Sequence, residues 1–151
     1  MHKVIISDTS CFIILSSIDE LSLLQKLYGT IITTQDIAME YGEKLPDWVE
    51  IVTLKDKQKQ QLLEMQLDKG ESSAIALGLE TENSTLILDD LKARKIALQL
   101  NLSYTGTLGI IIKAKQKGII DAVKPIIEKI KRTNFRISPE LELQALKEAL
   151  E

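Results

Sequence analysis

The sequence predicts a single α/β domain in which helices surround a central parallel sheet. Three observations carry that expectation. Short apolar runs alternate with longer helical stretches along the chain. The first run, V-I-I-S from Val4 to Ser7, is apolar enough for a strand buried on both faces. That run and the run T-L-I-L from Thr85 to Leu88 each stop on an aspartate. Strands alternating with helices in this way pair in parallel through right-handed crossovers.

The elements follow in order. Strand one ends at Asp8, and from Ser10 to Leu27 the apolar spacing of Phe12, Ile13, Leu15, Ile18, Leu21, Leu24 and Leu27 predicts one helix or two, closed by Gly29. Thr30 to Thr33 reads as a second strand, and Gln35 to Tyr41 as a short helix ended by Gly42. Pro46 introduces a third strand at Glu50 to Leu54, followed by a polar helix from Asp56 to Leu67. Gly70 to Leu79 is a helix rich in Ser and Ala, and Thr85 to Leu88 is strand four. A helix at Leu91 to Leu100, a short strand at Leu102 to Tyr104 and a helix at Leu108 to Gln116 come next. Two further helices close the chain, Ala122 to Lys131 and one capped by Ser138 with Pro139 in its first position. No repeat, linker or low-complexity stretch interrupts this, so residues 1–151 read as one domain.

Composition bounds the function. The chain is 44% hydrophobic and 27% charged, which fits a water-soluble globular protein and excludes a largely disordered one. Its one cysteine, Cys11, permits no internal disulfide and suits a reducing cytoplasm. The apolar stretch after Lys3 is broken by Asp8 and lacks a small-residue cleavage site, so neither a signal peptide nor a membrane span is expected. His2, the single histidine, reads as an ordinary terminal residue, which excludes a His-rich metal site.

The net charge of −3 conceals an asymmetry. Residues 1–91 carry a net −9, residues 92–136 a net +9, and the last fifteen a net −3. The basic segment holds Lys92, Arg94, Lys95, Lys113, Lys115, Lys117, Lys124, Lys129, Lys131, Arg132 and Arg136. Such residues form either solvated helix faces or a basic rim that draws a phosphate backbone toward an acidic pocket.

The acids fall into a pattern. Asp8 ends strand one, and Asp89 and Asp90 end strand four. Glu71 follows Gly70 at the start of the Ser/Ala helix, and Glu40 lies late in the helix after strand two. In an open α/β sheet, ligands bind outside the carboxyl ends of the strands, and these elements can deliver their carboxylates to one such crevice. Taken singly, the aspartates are good helix caps and Glu71 complements a helix dipole, each worth about 1 kcal/mol.

The flanking residues add to this. D-T-S at Asp8–Ser10, T-Q-D-I-A-M-E at Thr34–Glu40, G-E-S-S-A-I-A-L at Gly70–Leu77, D-D-L-K-A-R-K-I-A at Asp89–Ala97 and T-G-T-L-G at Thr105–Gly109 stand in an order and spacing that resembles the PIN-domain family. The similarity is greatest to the prokaryotic branch that holds the VapC-like ribonucleases of toxin–antitoxin pairs. It covers about residues 3–125, with the helices of 122–151 beyond it. Thr34 stands where many relatives carry a proline, three residues before Ile37.

The resemblance implies a three-layer αβα PIN-like fold with a central parallel sheet. It implies a metal-dependent endonuclease of single-stranded RNA, with Asp8, Glu40, Glu71 and Asp90 as metal ligands and catalytic residues. Asp8 and Asp90 are then direct ligands, Glu71 a ligand directly or through water, and Glu40 an outer ligand or the base for the attacking water. Thr9, Ser10, Ser72, Asp89, Arg94 and Thr107 are candidates to bind those carboxylates or a substrate phosphate. Partners implied are RNA, an antitoxin protein that blocks the acidic pocket, and a second copy of the chain. Ile110 to Ile112 and Ile126 to Ile130 offer a dimer face, though core packing explains them equally well.

Elementary electrostatics agrees with a metal. Two carboxylates at about 4 Å repel by roughly 4 kcal/mol at an effective dielectric of 20, so a cluster of four takes up protons or a cation. Oxygen donors without His or Cys favour Mg²⁺ or Mn²⁺ over zinc. Other phosphate chemistries fit less well. A phosphotransferase with Asp8 as nucleophile wants a second acid two residues on, where Ser10 stands, and D-T-S-C lacks the glycines of a nucleotide-binding turn. The serious alternative is a non-catalytic PIN-like domain that binds nucleic acid or a protein partner.

Overall fold

The computed structural model describes residues 3–151, and His2 lies outside the described residues. Five strands form one parallel sheet: β1 (Val4–Ser7), β2 (Ile31–Thr33), β3 (Val49–Ile51), β4 (Ser84–Ile87) and β5 (Ser103–Thr105), in the order β3-β2-β1-β4-β5. All four pairings are parallel, with Ile6 opposite both Ile32 and Leu86. The chain therefore starts at the centre of the sheet, winds to one edge, and crosses back past β1 to build the other half. That reversal between β2 and β4 on either side of β1 is the switch point at which open α/β sheets form crevices.

Nine helices accompany the strands among the described residues, six between strands and three after the last: α1 (Thr9–Ser17), α2 (Ser22–Tyr28), α3 (Gln35–Tyr41), α4 (Gln58–Leu63), α5 (Lys69–Glu80), α6 (Leu91–Gln99), α7 (Thr107–Gln116), α8 (Lys124–Lys131) and α9 (Pro139–Glu148). α5 lies against β1 and β4 and packs with α3 and α4, whereas α7 packs with α2 and with α9. Helices thus cover both faces of the sheet, giving three layers around one apolar core. That core runs from Ile5 and Ile6 to Ala145 of the last helix and Ala149 at its C-cap.

Several boundaries differ from expectation for local reasons. The stretch after Asp8 is two helices because Asp19 adopts a left-handed conformation, φ 57°, between them. The helix expected over 56–67 shortens to α4 because Leu67 turns into the core and Asp68 caps the next helix. Strand three begins at Val49, its buried residue, whose amide donates to the Pro46 carbonyl at 3.0 Å. Thr34 adopts φ −109°, outside the range of proline, and its hydroxyl caps α3 by accepting from the Ile37 amide at 3.2 Å. Its side chain also meets the Ser73 hydroxyl at 2.6 Å, tying α3 to α5.

Ile110, Ile111, Ile112, Ile126, Ile127 and Ile130 are all buried in the core, so they do not form a free dimer face. Part of the basic segment is also neutralised from within. Lys131 pairs with Glu128 and Glu142, and Lys115 pairs with Glu151 and donates to the Ala149 carbonyl. No helix among the described residues is long and apolar enough to cross a membrane.

Candidate active site

β1 is buried from Ile5 onward, so the residue that follows it emerges beneath the helices. That residue, Asp8, is 4% exposed and serves as N-cap of α1. One carboxylate oxygen accepts from the Cys11 amide at 2.9 Å and the other from the Asp89 amide at 3.1 Å. Asp8 is thereby fixed to both its own helix and the end of the neighbouring strand β4. Burial pushes its pKa up to about 8, the charge of Asp89 and more weakly that of Glu71 add to this, and the two amides oppose it.

Asp89 is bound on its other side. It accepts from the Thr107 amide at 2.9 Å and the Thr107 hydroxyl at 2.6 Å, and lies 3.9 Å from the Arg94 guanidinium. Arg94 itself donates from Nε to the Leu88 carbonyl at 2.6 Å and sits 5.3 Å over the Tyr104 ring. The glycine of T-G-T follows from this crowding, since a Cβ at Gly106 would run into the Arg94 guanidinium. Asp90, one residue on, caps α6 with one oxygen accepting from the Ala93 amide at 2.9 Å, and is exposed.

Glu71 stands in the first turn of α5, whose cap Asp68 accepts from the Glu71 amide at 2.8 Å. Burial first, then the charges of Asp68 and Asp90, push the Glu71 pKa up to about 7. Glu40, exposed in the last turn of α3, accepts from the Thr9 hydroxyl at 2.5 Å, beside Asp8. Gly70 makes room for that contact, because a Cβ there would collide with the Glu40 carboxylate.

The structure thus links the acids in a chain. Asp89 and Glu71 act on Asp8, Asp90 acts on Glu71, and Glu40 reaches the group through Thr9. Of the accessory candidates, Thr9 and Thr107 bind carboxylates directly, and Arg94 pairs with Asp89. Ser72 is fully buried with its hydroxyl unpartnered. Ser10 is exposed and lines a separate groove with Ile13, Arg132 and Phe135.

Two contributors were not anticipated. Asp68 acts on Glu71, and the D-x-x-E spacing of a capping box is its sequence signal. Tyr104 backs Arg94, and nothing in its surrounding sequence marks it.

Hard carboxylate oxygens are the donors Mg²⁺ or Mn²⁺ takes, and no lysine or arginine lies within ion-pairing distance of Asp8, Glu71, Asp90 or Glu40 among the described residues. The crowded negative charge therefore fits a divalent cation in its chemistry. The arrangement is open rather than closed, for among the described residues no three His, Cys, Asp or Glu side chains stand together as a ready ligand group.

A family model described as a PIN domain matches residues 4–151, which extends beyond the motif-bearing core into α8 and α9. No curated protein and no solved structure matches the chain. Since the match takes in nearly every residue, and the acid-tipped parallel sheet is what its motifs anticipate, this protein belongs to the PIN-domain family, whose fold is of the nuclease type.

Proposed function

We propose that the protein is a Mg²⁺- or Mn²⁺-dependent endoribonuclease of single-stranded RNA, acting as the VapC-like toxin of a toxin–antitoxin pair. The observation that carries this reading is Asp8. A buried carboxylate raised to about pH 8 by its own burial and by Asp89 and Glu71 is held at a cost to stability that a bound cation would offset.

The ligands proposed are Asp8 and Asp90, with Glu71 directly or through water. Asp90 is preferred to Asp89 because Asp89 already accepts twice from Thr107 and faces Arg94, while Asp90 accepts from the Ala93 amide and is exposed. A bound divalent ion supplies a water of lowered pKa and positive charge near the leaving oxygen. Glu40, oriented by Thr9, would serve as an outer ligand or as the base for the attacking water. Asp89, locked by Thr107 and Arg94, holds Asp8 through its amide. The basic residues Lys92 and Lys95 on α6, without an ion pair among the described residues, begin just beyond Asp90 and suit a phosphate backbone approaching that edge.

An antitoxin would cover the same acidic edge. A homodimer would draw on exposed apolar residues such as Leu91 and Leu98 of α6 or Leu62 and Met65 at α4. The test is cleavage of a single-stranded RNA with and without Mn²⁺. Metal-dependent cleavage that Asp8→Asn abolishes, with an unchanged circular dichroism spectrum, supports the reading. Cleavage retained in that variant refutes it, and absence of cleavage in the natural protein favours a binding domain.

A further inference from the structure

A second cavity, of about 440 Å³, lies away from the acids and is lined by Lys3, Tyr28, Thr85, Thr105, Lys113 and Lys117. Lys3 precedes β1 and Asp8 follows it, so five residue steps of extended chain, roughly 16 Å, separate the two along the strand. Register puts Ile5 beside Thr85, and Ile87 beside Thr105, so both threonines project from the same face of the sheet.

Three features of this cavity belong together. Lys3, Lys113 and Lys117 converge on it, no carboxylate lines it, and none of the three makes an ion pair among the described residues. Lys115, between two of them on α7, is by contrast paired with Glu151. Lysines at the carboxyl end of a helix suit its dipole, which accounts for Lys113 in the last turn of α7 and Lys117 at its C-cap but not for Lys3 arriving from another element. Lys113 and Lys117 are also four residues apart on one face, where like charges repel. Finally, the Thr85 hydroxyl in the cavity wall is buried with no hydrogen-bond partner, an uncommon state for such a group.

Three lysines around one concavity, with an unsatisfied hydroxyl buried in its wall, are the complement of a phosphate group. Lys113 already sits 5.2 Å over the Tyr28 ring, which fixes where its charge is presented. We propose that this cavity binds a phosphate-bearing small molecule of mononucleotide size, independently of the acidic edge. The three lysines hold the phosphate, and Thr85 donates its hydroxyl to it. A volume of about 440 Å³ lies in the range of small-ligand sites.

The test uses the full chain in EDTA and a phosphate-free buffer, titrated by calorimetry and by amide NMR. Probes are inorganic phosphate, adenosine 5′-monophosphate and a short single-stranded RNA lacking terminal phosphates. The expected result is saturable binding of the first two, with amide shifts centred on Lys3, Thr85 and Thr105. Lys113→Met/Lys117→Met weakens it at least about tenfold, and Asp8→Asn leaves it unchanged. Thr85→Val also weakens binding but melts no lower than the natural protein, because the hydroxyl it removes has no partner in the free chain. The proposal is overturned if neither small probe saturates below about 10 mM, if the double lysine variant binds as well as the parent, if Asp8→Asn abolishes binding, or if only the RNA binds.

Discussion

The Asp89 amide donates to the Asp8 carboxylate at 3.1 Å, so the acid that follows β1 is held by the second residue beyond β4's carboxyl end. The two adjacent aspartates of the D-D pair consequently do different work. Asp89 faces inward to Asp8, Thr107 and Arg94, and Asp90 caps α6 and acts on Glu71.

This division predicts different outcomes for two neighbouring substitutions. Asp89→Asn forfeits charge on its bonds to Thr107 and Arg94 and should lower stability by about 1 kcal/mol. Asp90→Asn keeps a good helix cap, so stability should stay within about 0.5 kcal/mol while RNA cleavage falls at least about a hundredfold. Urea denaturation beside a cleavage assay reads both effects, and equal stability losses in the two variants would contradict the assignment.

The raised pKa values of Asp8 and Glu71 make a claim about pH. The native state binds protons more tightly at these groups than the unfolded chain does, so metal-free stability is highest at low pH for these two and falls as pH rises. The window runs from about 4, where the unfolded groups ionise, through about 7 for Glu71 to about 8 for Asp8. Asp8→Asn should remove the upper part of that decline. Adding Mn²⁺ at pH 8 should raise the melting temperature of the natural protein and have little effect on the variant. Thermal melts in EDTA across pH 5 to 9 measure the slope, and a rise in stability across that window would contradict the electrostatic account.

Gly70 offers a test of Glu40 that leaves Glu40 in place. Alanine at 70 would push the Glu40 carboxylate away from Thr9, and a flexible side-chain end can move at little cost. Alanine also favours the helix by up to about 1 kcal/mol. Gly70→Ala should therefore fold as stably as the parent, yet lose cleavage to the extent that Glu40→Gln does. Full cleavage in Gly70→Ala would remove Glu40 from the mechanism.

Arg94 should behave as a structural clasp. Arg94→Lys cannot reproduce both the bond to the Leu88 carbonyl and the approach to Asp89, and should cost about 1–2 kcal/mol, as judged by chemical denaturation. Its effect on cleavage should appear in kcat, because Asp8 shifts with Asp89, and a change confined to KM would instead mark Arg94 as a phosphate contact.

Much of the fold was legible because strong local signals agreed with it. β1 and β4 are unmistakable as apolar runs stopped by acids, and Ser138 with Pro139 sets the start of α9. Signals that depend on tertiary placement were not legible. Whether Ile110 to Ile112 and Ile126 to Ile130 faced a core or a partner depended on where α7 and α8 pack, and they proved buried. Ser10 shares its motif with Asp8 and Thr9, but a helix turns consecutive residues through about 100°, which sends Ser10 to another surface. Tyr104 enters only through its contact with Arg94 of another element, whereas Asp68 acts on Glu71 three residues on, a local pairing that its D-x-x-E spacing marks.

The bond between positions 8 and 89 spans 81 residues of chain, and the central strand is also the first of the five to be made. During synthesis, Asp8 leaves the ribosome long before the strand that completes its surroundings. Until β4 docks, no partially made product carries the assembled carboxylates. A nick anywhere between α3 and α5 would likewise separate Asp8 and Glu40 from Glu71 and Asp90, leaving two fragments that must reassociate before either could work.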